Sequence, residues 1–454
     1  MKNLQQQIVQ ERPLWLEGYK KFLSFPSISA LAESKPDLEA CAAWVAAELR
    51  EIGFTVEFWQ TEGPPVLFAS LLEAGPAQPT LLLYNHYDVQ PVDPLELWDS
   101  PPFNPVEKKG EIYARGAQDN KGQCFYVLQA LKMYRKEFGK LPINVKLCIE
   151  GEEEIGSPGL SSMIYQKQGA LQADYLAIVD VGLPAADIPA LTLGVRGIVT
   201  WDLVVQGAKG DLHSGSHGGM APNPLQILVE LLARLKDSKG KVAVPGFYEG
   251  IEEPAPHELA LLDRNFDPLA YQQMTGVDPN GGEADYPPLD RVWLRPALEI
   301  NGIHGGYGGK GFKTIIPARA EAKLSCRLVP GQDPVRIGAL IPAFLQQHAP
   351  SGIRLQITTH PGLGRPVRIP PDSALVQAFS AAFEKVLSKK TRFILSGASI
   401  PIAAQLAEVS GAQSLFVGLG LPDDQIHAPN EHFGIDRIEK GILIIAHTLH
   451  HLRK

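Results

Sequence analysis

The sequence predicts an α/β protein of two domains: a mostly parallel-sheet α/β domain with a smaller α+β domain inserted into it. Three observations predict this. Strand-like and helix-like segments alternate through the first half of the 454 residues, the pattern of parallel strands joined by helical crossovers. Near Leu193-Gly194-Val195-Arg196-Gly197 the texture changes to strands that alternate apolar and polar residues, as half-buried strands do. After Pro370 the first texture returns, so the middle segment reads as an insertion.

Leu38 to Ile52 carries apolar residues at helical spacing and ends at Gly53. Thr55 to Trp59 and Val66 to Leu72 read as strands. Thr80 to Asn85 is continuously apolar, which marks a buried strand. Gly122 to Tyr134 reads as a helix, Ile143 to Ile149 as a strand, Leu160 to Gln168 as a helix and Tyr175 to Val179 as a short buried strand. In the insertion, Val199 to Val205, Ala320 to Leu328 and Arg354 to Thr359 alternate as strands, with helices at Pro224 to Leu235 and Val335 to Gln347. Gly246 to Leu298 is rich in Pro, Gly and acids and reads as an excursion from that domain. Pro361-Gly362-Leu363-Gly364 closes the insertion. Helices at Ser373 to Leu387, Ile400 to Glu408 and Arg437 to Leu452 and a strand at Gln413 to Gly418 complete the chain. The expected boundaries are 1–194 with 364–454 for the discontinuous domain, and 195–363 for the inserted one.

Composition narrows the function. A hydrophobic fraction of 44% and a charged fraction of 20% are ordinary for a globular protein. A net charge of −8 and a pI of about 5.9 argue against a nucleic-acid partner. The N-terminus lacks the apolar core and cleavage site of a signal peptide. No apolar run approaches the roughly 18 residues of a membrane span, so no membrane partner is expected. Cys41, Cys124, Cys148 and Cys326 are far apart and form no CxxC. They read as buried thiols in a reducing compartment, and a cytoplasmic location is expected.

Five short segments end apolar runs with an acid or a histidine. In His86-Tyr87-Asp88, residues two apart on a strand face one way, so a metal ligand and the group that orients it can share a side. The others are Gly116 to Gly122 around Asp119, Glu150 to Ser157 with three consecutive glutamates, Val179-Asp180, and Ile426 to Glu431 around His427. Singly, each has a plainer reading: a helix cap, a solvated acidic run, a turn, a surface histidine. Together they fall where parallel strands end, which is where α/β sheets bind ligands. Two histidines and three or four carboxylates without a thiolate suit a pair of divalent ions such as zinc, manganese or cobalt. A carboxylate shared between two metals holds them about 3.5–4 Å apart, a spacing suited to hydrolysis. A further carboxylate, free of metal, would serve as general base.

These segments resemble the M20 family of metallopeptidases, and its dipeptidase branch in particular. The resemblance runs through Tyr84 to Pro91, Trp98 to Phe103, Tyr113 to Gly116, Asp119 to Gly122 and Glu150 to Ser157. It continues through Asp211-Leu212-His213-Ser214-Gly215, Lys313 to Pro317, Arg327 to Pro330, Ser399-Ile400-Pro401 and His427 to Glu431, in family order. It implies a phosphorylase/hydrolase-like catalytic domain with an inserted lid and dimerisation domain. One metal would be held by His86, Asp119 and Asp180, the other by Asp119, Glu154 and His427. Asp88 would fix the His86 imidazole and Glu153 would be the general base. His213 would reach the active site of the other subunit of a homodimer and stabilise the oxyanion. Thr314 and Arg327 would grip the substrate carboxylate, and Ser399 would be a further substrate contact. The activity implied is hydrolysis of dipeptides or short peptides with a free C-terminal carboxylate, on two divalent ions per subunit.

The chain departs from the family in one segment. Leu395-Ser396-Gly397-Ala398-Ser399-Ile400-Pro401 stands where Arg-Glu-Gly-Gly-Ser-Ile-Pro is common, which leaves the specificity open. The run Gly302 to Gly311 is not a phosphate loop, because Gly309-Lys310 is followed by Gly; it reads as a turn leading into the next strand. Two other functions fit the same ligands: removal of acyl groups from N-acyl amino acids, and metal binding without catalysis.

Overall fold

The computed structural model describes residues 1–454. Its main body is a nine-stranded sheet in the order Thr55–Trp59, Val66–Leu71, Asn144–Glu150, Thr80–His86, Tyr175–Val179, Gln413–Val417, Ala190–Val195, Val367–Arg368, with Arg392–Ser396 also paired to Ala190–Val195. The strands from Asn144–Glu150 to Gln413–Val417 run parallel, and antiparallel strands flank them. The parallel register sets His86 opposite Glu150 and Val417 opposite Val179. The carboxyl ends of these strands therefore lie level, and the polar segments that follow them share one edge.

Helices cover both faces. From Thr80–His86 the chain crosses to Asn144–Glu150 on one side, then back across it to Tyr175–Val179 on the other. Right-handed crossovers in opposite directions put the connecting helices on opposite faces. The helix Lys121–Phe138 packs on Lys35–Ile52 and Ile435–His451, while Pro401–Ser410 packs on Pro158–Met163 and Gln168–Leu171. Lys35–Ile52 stops at Gly53, whose φ of 107° suits a residue without a Cβ.

Arg196 ends the first body. A four-stranded antiparallel sheet follows, in the order Ala297–Gly305, Arg319–Leu328, Gly197–Gln206, Arg354–Thr359. Gly197–Gln206 and Arg319–Leu328 bury alternate residues, and the helices Pro224–Ala233 and Pro334–His348 cover the apolar side. Trp201, Leu203, Leu324 and Ile341 belong to this second hydrophobic core, which is separate from the larger one around the nine-stranded sheet.

Several local expectations are corrected. The expected helix from Leu160 to Gln168 is two short ones, Pro158–Met163 and Gln168–Leu171; Leu160 and Ile164 are its only buried apolar residues, too small a face for a continuous amphipathic helix. Gly302 to Gly305, read as part of a turn, ends the Ala297–Gly305 strand, because its partner Arg319–Leu328 continues alongside. The excursion folds into three short helices, Pro256–Leu261, Pro268–Thr275 and Pro288–Trp293, each opened by a proline that needs no N–H partner there. No helix is long and apolar enough to cross a membrane. All four cysteines are buried free thiols.

Candidate metal centre and the adjoining cavity

His86 is the last residue of its strand and is fully buried. Its Nδ1 lies 3.1 Å from the Asp88 carbonyl oxygen and 3.3 Å from Asp88 Oδ1. Both are acceptors, so Nδ1 carries the proton. Nε2 then presents its lone pair to Asp119 Oδ1 at 3.2 Å and Asp180 Oδ2 at 3.6 Å. A lone pair facing two carboxylate oxygens is repulsive unless a proton or a cation lies between them.

A second group of the same kind shares Asp119. His427 Nε2 lies 3.0 Å from Asp119 Oδ2 and 3.2 Å from Glu154 Oε2. In each group, His86–Asp119–Asp180 and Asp119–Glu154–His427, one donor atom per residue lies within 4.8 Å of the others. Glu154 Oε1 is buried without a hydrogen-bond partner, which costs free energy unless something positive meets it. The donor set, imidazole and carboxylate only, fits hard or borderline divalent ions.

Electrostatics agree with that fit. Burial and the charge of Asp119 push Glu154 up to about 7. Burial, only partly offset by His86, pushes Asp180 up to about 6. Burial would raise Asp119 as well, but hydrogen bonds from His427 and His86 hold it well below the usual carboxylate range. Hydrogen bonds to Asp119 and Glu154 draw His427 up to about 10. The acids thus recruit protons onto both imidazoles, the role a bound cation takes over.

The surrounding loops hold these groups still. Asp88, also buried, accepts backbone N–H bonds from Glu153 (3.2 Å) and Glu154 (3.1 Å). Asn120 donates to the Val179 carbonyl at 2.8 Å and to Asp180 Oδ1 at 2.5 Å, and accepts from Asn85 at 2.7 Å. Gln90 donates to Glu154 Oε2 at 2.7 Å. Glu431, fully buried, accepts from Arg115 and the backbone N–H groups of Gly116, Gln118 and Asp119, all at 2.8–3.0 Å. Sequence reasoning gave no role to Glu431, Asn120 or Gln90. Their partners come from distant segments, and nothing in their local pattern marks them.

Glu153 belongs to neither group but lines the same cavity of about 380 Å³, with Asp119, Glu154, Asp180 and His427. Burial, with Asp180 and Glu154 nearby, raises its carboxyl well above the ordinary value. No Lys or Arg lines this cavity. Its far wall includes Ser396, Ala398 and Ser399.

The remaining expected site residues form two pairs. Arg327 donates from Nη1 to Ser399 Oγ at 2.7 Å, which ties it to the cavity wall. Thr314 meets His213: Thr314 Oγ1 lies 3.4 Å from His213 Nε2, and both are exposed. His213 Nδ1 accepts from the Gly215 N–H, so the neutral ring carries its proton on Nε2. Asp211 accepts from the Ala318 N–H and leaves His213 alone.

Residues 82–451 match the model of peptidase family M20/M25/M40. The Cys-Gly metallodipeptidase dug1 of Schizosaccharomyces pombe is 28% identical over 95% of this chain and 94% of its own. The Beta-Ala-His dipeptidase of Homo sapiens is 31% identical over 81% of this chain and 73% of its own. Among solved structures, the M20 family metallo-carboxypeptidase Sso-CP2 from Sulfolobus solfataricus superposes with a TM-score of 0.89 at 33% identity, over 97% of this chain and 99% of that one.

Proposed function

The chain belongs to peptidase family M20/M25/M40, and from that premise we propose that it is a two-metal hydrolase of dipeptides or short peptides with a free C-terminal carboxylate. The observation that carries this reading is the cavity itself. Asp119 is shared between two ligand groups, and Glu153, in the same cavity, stays outside both. His86, Asp119 and Asp180 would hold one ion; Asp119, Glu154 and His427 the other. Zinc and manganese are the candidates, and cobalt suits the same donors. When bound, such ions polarise the scissile carbonyl and acidify water.

The chain's own residues then do the rest. Glu153 takes the proton of the attacking water and passes it to the leaving amine; its raised affinity for protons suits both halves of that transfer. Arg327, steadied by Ser399, receives the substrate carboxylate. His213, with its proton on Nε2, donates to the oxyanion of a neighbouring subunit, with Thr314 beside it. The absence of any Lys or Arg from the cavity lining supports this completion from outside.

A homodimer follows from that role. Its contact surface would be the inserted domain, where Ile300 and Ile303 on the unpaired edge of Ala297–Gly305 and Val229 on the adjacent helix stand exposed along a groove of about 450 Å³. An uncovered apolar edge strand is a ready pairing surface. The four reduced thiols fit the cytoplasm.

The similarity to a metallo-carboxypeptidase favours a second reading, in which longer peptides lose their C-terminal residue. A panel of dipeptides, longer peptides and N-acyl amino acids, each with Zn, Mn and Co, tests both. Turnover confined to dipeptides supports the first reading and release of C-terminal residues from longer chains the second. A preference for N-acyl amino acids would overturn both, as would two bound metals without hydrolysis of any member.

A further inference from the structure

Two arginines are bonded to the segment that forms the far wall of the cavity, and only one of them has been given a task. Arg196 follows the Ala190–Val195 strand, and its backbone N–H donates to the Ala398 carbonyl at 3.0 Å. Its Nε donates to the Gly397 carbonyl at 2.9 Å. Arg327 lies opposite Ile198, two residues beyond Arg196, and its charge acts on Arg196. It donates to Ser399 Oγ, which in turn donates to the Gly197 carbonyl at 3.1 Å. Both guanidiniums thus grip the segment 397–399, whose residues Ala398 and Ser399 face the metal ligands across the cavity.

Neither arginine has an acid to pair with. Each spends one N–H on a neutral oxygen of the wall, out of five that a guanidinium offers. The acid that acts on Arg196, Glu299, is itself paired with Lys236 at 3.2 Å. Position 396, acidic in the common family pattern, is Ser396 here, directly across from Val195 and next to Arg196. Burial and the charge of Arg327 draw Arg196 down to about 10. Two like charges, half-buried and without an acidic partner, form a site short of anions. A single α-carboxylate is matched in full by one planar guanidinium, which leaves the other without a partner.

We propose that Arg196 selects substrates whose C-terminal residue carries a second carboxylate, aspartate or glutamate, with Arg327 taking the α-carboxylate. This rests on the peptide-hydrolase reading above.

The test compares Ala-Glu with Ala-Gln, nearly equal in shape, on the metal-loaded protein. The parent should favour Ala-Glu in kcat/KM by at least about tenfold, the scale of one charged hydrogen bond. Arg196→Met should bring that ratio close to one, whatever it does to either rate. A parent that does not distinguish the two overturns the proposal. So does an Arg196→Met variant that slows both equally, which would make Arg196 a support of the wall alone. Calorimetric titration of free glutamate against glutamine supplies a reading without turnover. Selective binding of glutamate that Arg196→Met abolishes, with no dipeptide cleaved, would keep the site and remove the hydrolase reading. Cleavage of dipeptides without any glutamate preference would do the reverse.

Discussion

Asp88 and His86 are joined through one buried carboxylate that does two things. Asp88 Oδ1 lies 3.3 Å from the proton-bearing Nδ1 of His86, and the same carboxylate accepts the backbone N–H groups of Glu153 and Glu154. The residue that aims the first ligand therefore also pins the turn carrying the base and another ligand. Asp88→Asn keeps the shape but turns one acceptor into a donor. It should weaken metal binding or activity by about 10–100-fold, the usual cost of losing a group that orients a ligand. Metal titration by calorimetry, alongside kcat, checks it. A variant that binds and turns over as the parent does would deny Asp88 this role.

Glu153→Gln removes the proposed base while leaving both ligand groups whole. The expected result is a fall in kcat of at least about two orders of magnitude with two metals still bound per chain. Elemental analysis of the variant, paired with its kinetics, separates this from loss of an ion. Near-parental kcat would put the proton transfer elsewhere.

Glu431 should matter as much, although the only proposed ligand it meets is Asp119, and that through the Asp119 backbone N–H. It gathers Arg115 and three backbone N–H groups of the Asp119 loop in a buried setting. Glu431→Ala leaves a buried guanidinium unpaired, a loss on the order of 3–5 kcal/mol. Thermal unfolding should move down clearly, and metal affinity should fall with it as Asp119 loses its anchor. Unchanged unfolding would mean that the loop holds itself.

The contrast between Glu431 and His86 explains what the sequence could tell. His86, Asp180 and Glu154 follow apolar strands, so strand periodicity and the level ends of a parallel sheet expose them. Glu431 receives its bonds from residues 312–316 positions away, and no local pattern records a contact that far along the chain. The short antiparallel pairing of Leu212–His213 with Ile315–Ile316 sets Thr314 beside His213, a contact across 101 positions that no local pattern records. The strand Arg392–Ser396, half-exposed and beginning at the end of a basic run, lacks the continuous apolar character that revealed its buried neighbours.

Glu150, the strand partner of His86 but not itself a proposed ligand, offers a pH test. It is fully buried, accepts from Tyr84 Oη at 2.7 Å and Ser157 Oγ at 2.8 Å, and has an unpartnered Oε2. Burial pushes it up to about 8 from an ordinary value of 4.5. The folded state therefore holds a proton that the unfolded state releases, and stability falls as pH rises between those two values. Glu150→Gln removes that dependence. The melting temperature of the variant relative to the parent should rise from pH 5 to pH 8. A difference that stays flat, or falls, would show that Glu150 is charged in the fold.

The last prediction concerns the exposed pair His213 and Thr314. The acidic cavity has no Lys or Arg in its lining, while His213 carries a donor at Nε2 and lines no part of that cavity in its own chain. If it serves a neighbouring subunit, His213→Ala and Glu153→Gln should each be nearly inactive alone. Mixed after dissociation and reassociation, they should complement. A heterodimer then contains one site with an intact Glu153 from one chain and an intact His213 from the other, and one site with neither. For a two-fold symmetric dimer, random exchange of equal amounts makes half the dimers mixed, so about a quarter of the parental activity should return. Within one chain the two residues could not be separated this way, and no activity would return. Charged substitution at Ile300, on the exposed strand edge, should abolish the complementation by preventing reassociation. Recovery that survives such a substitution in both chains would move the interface elsewhere.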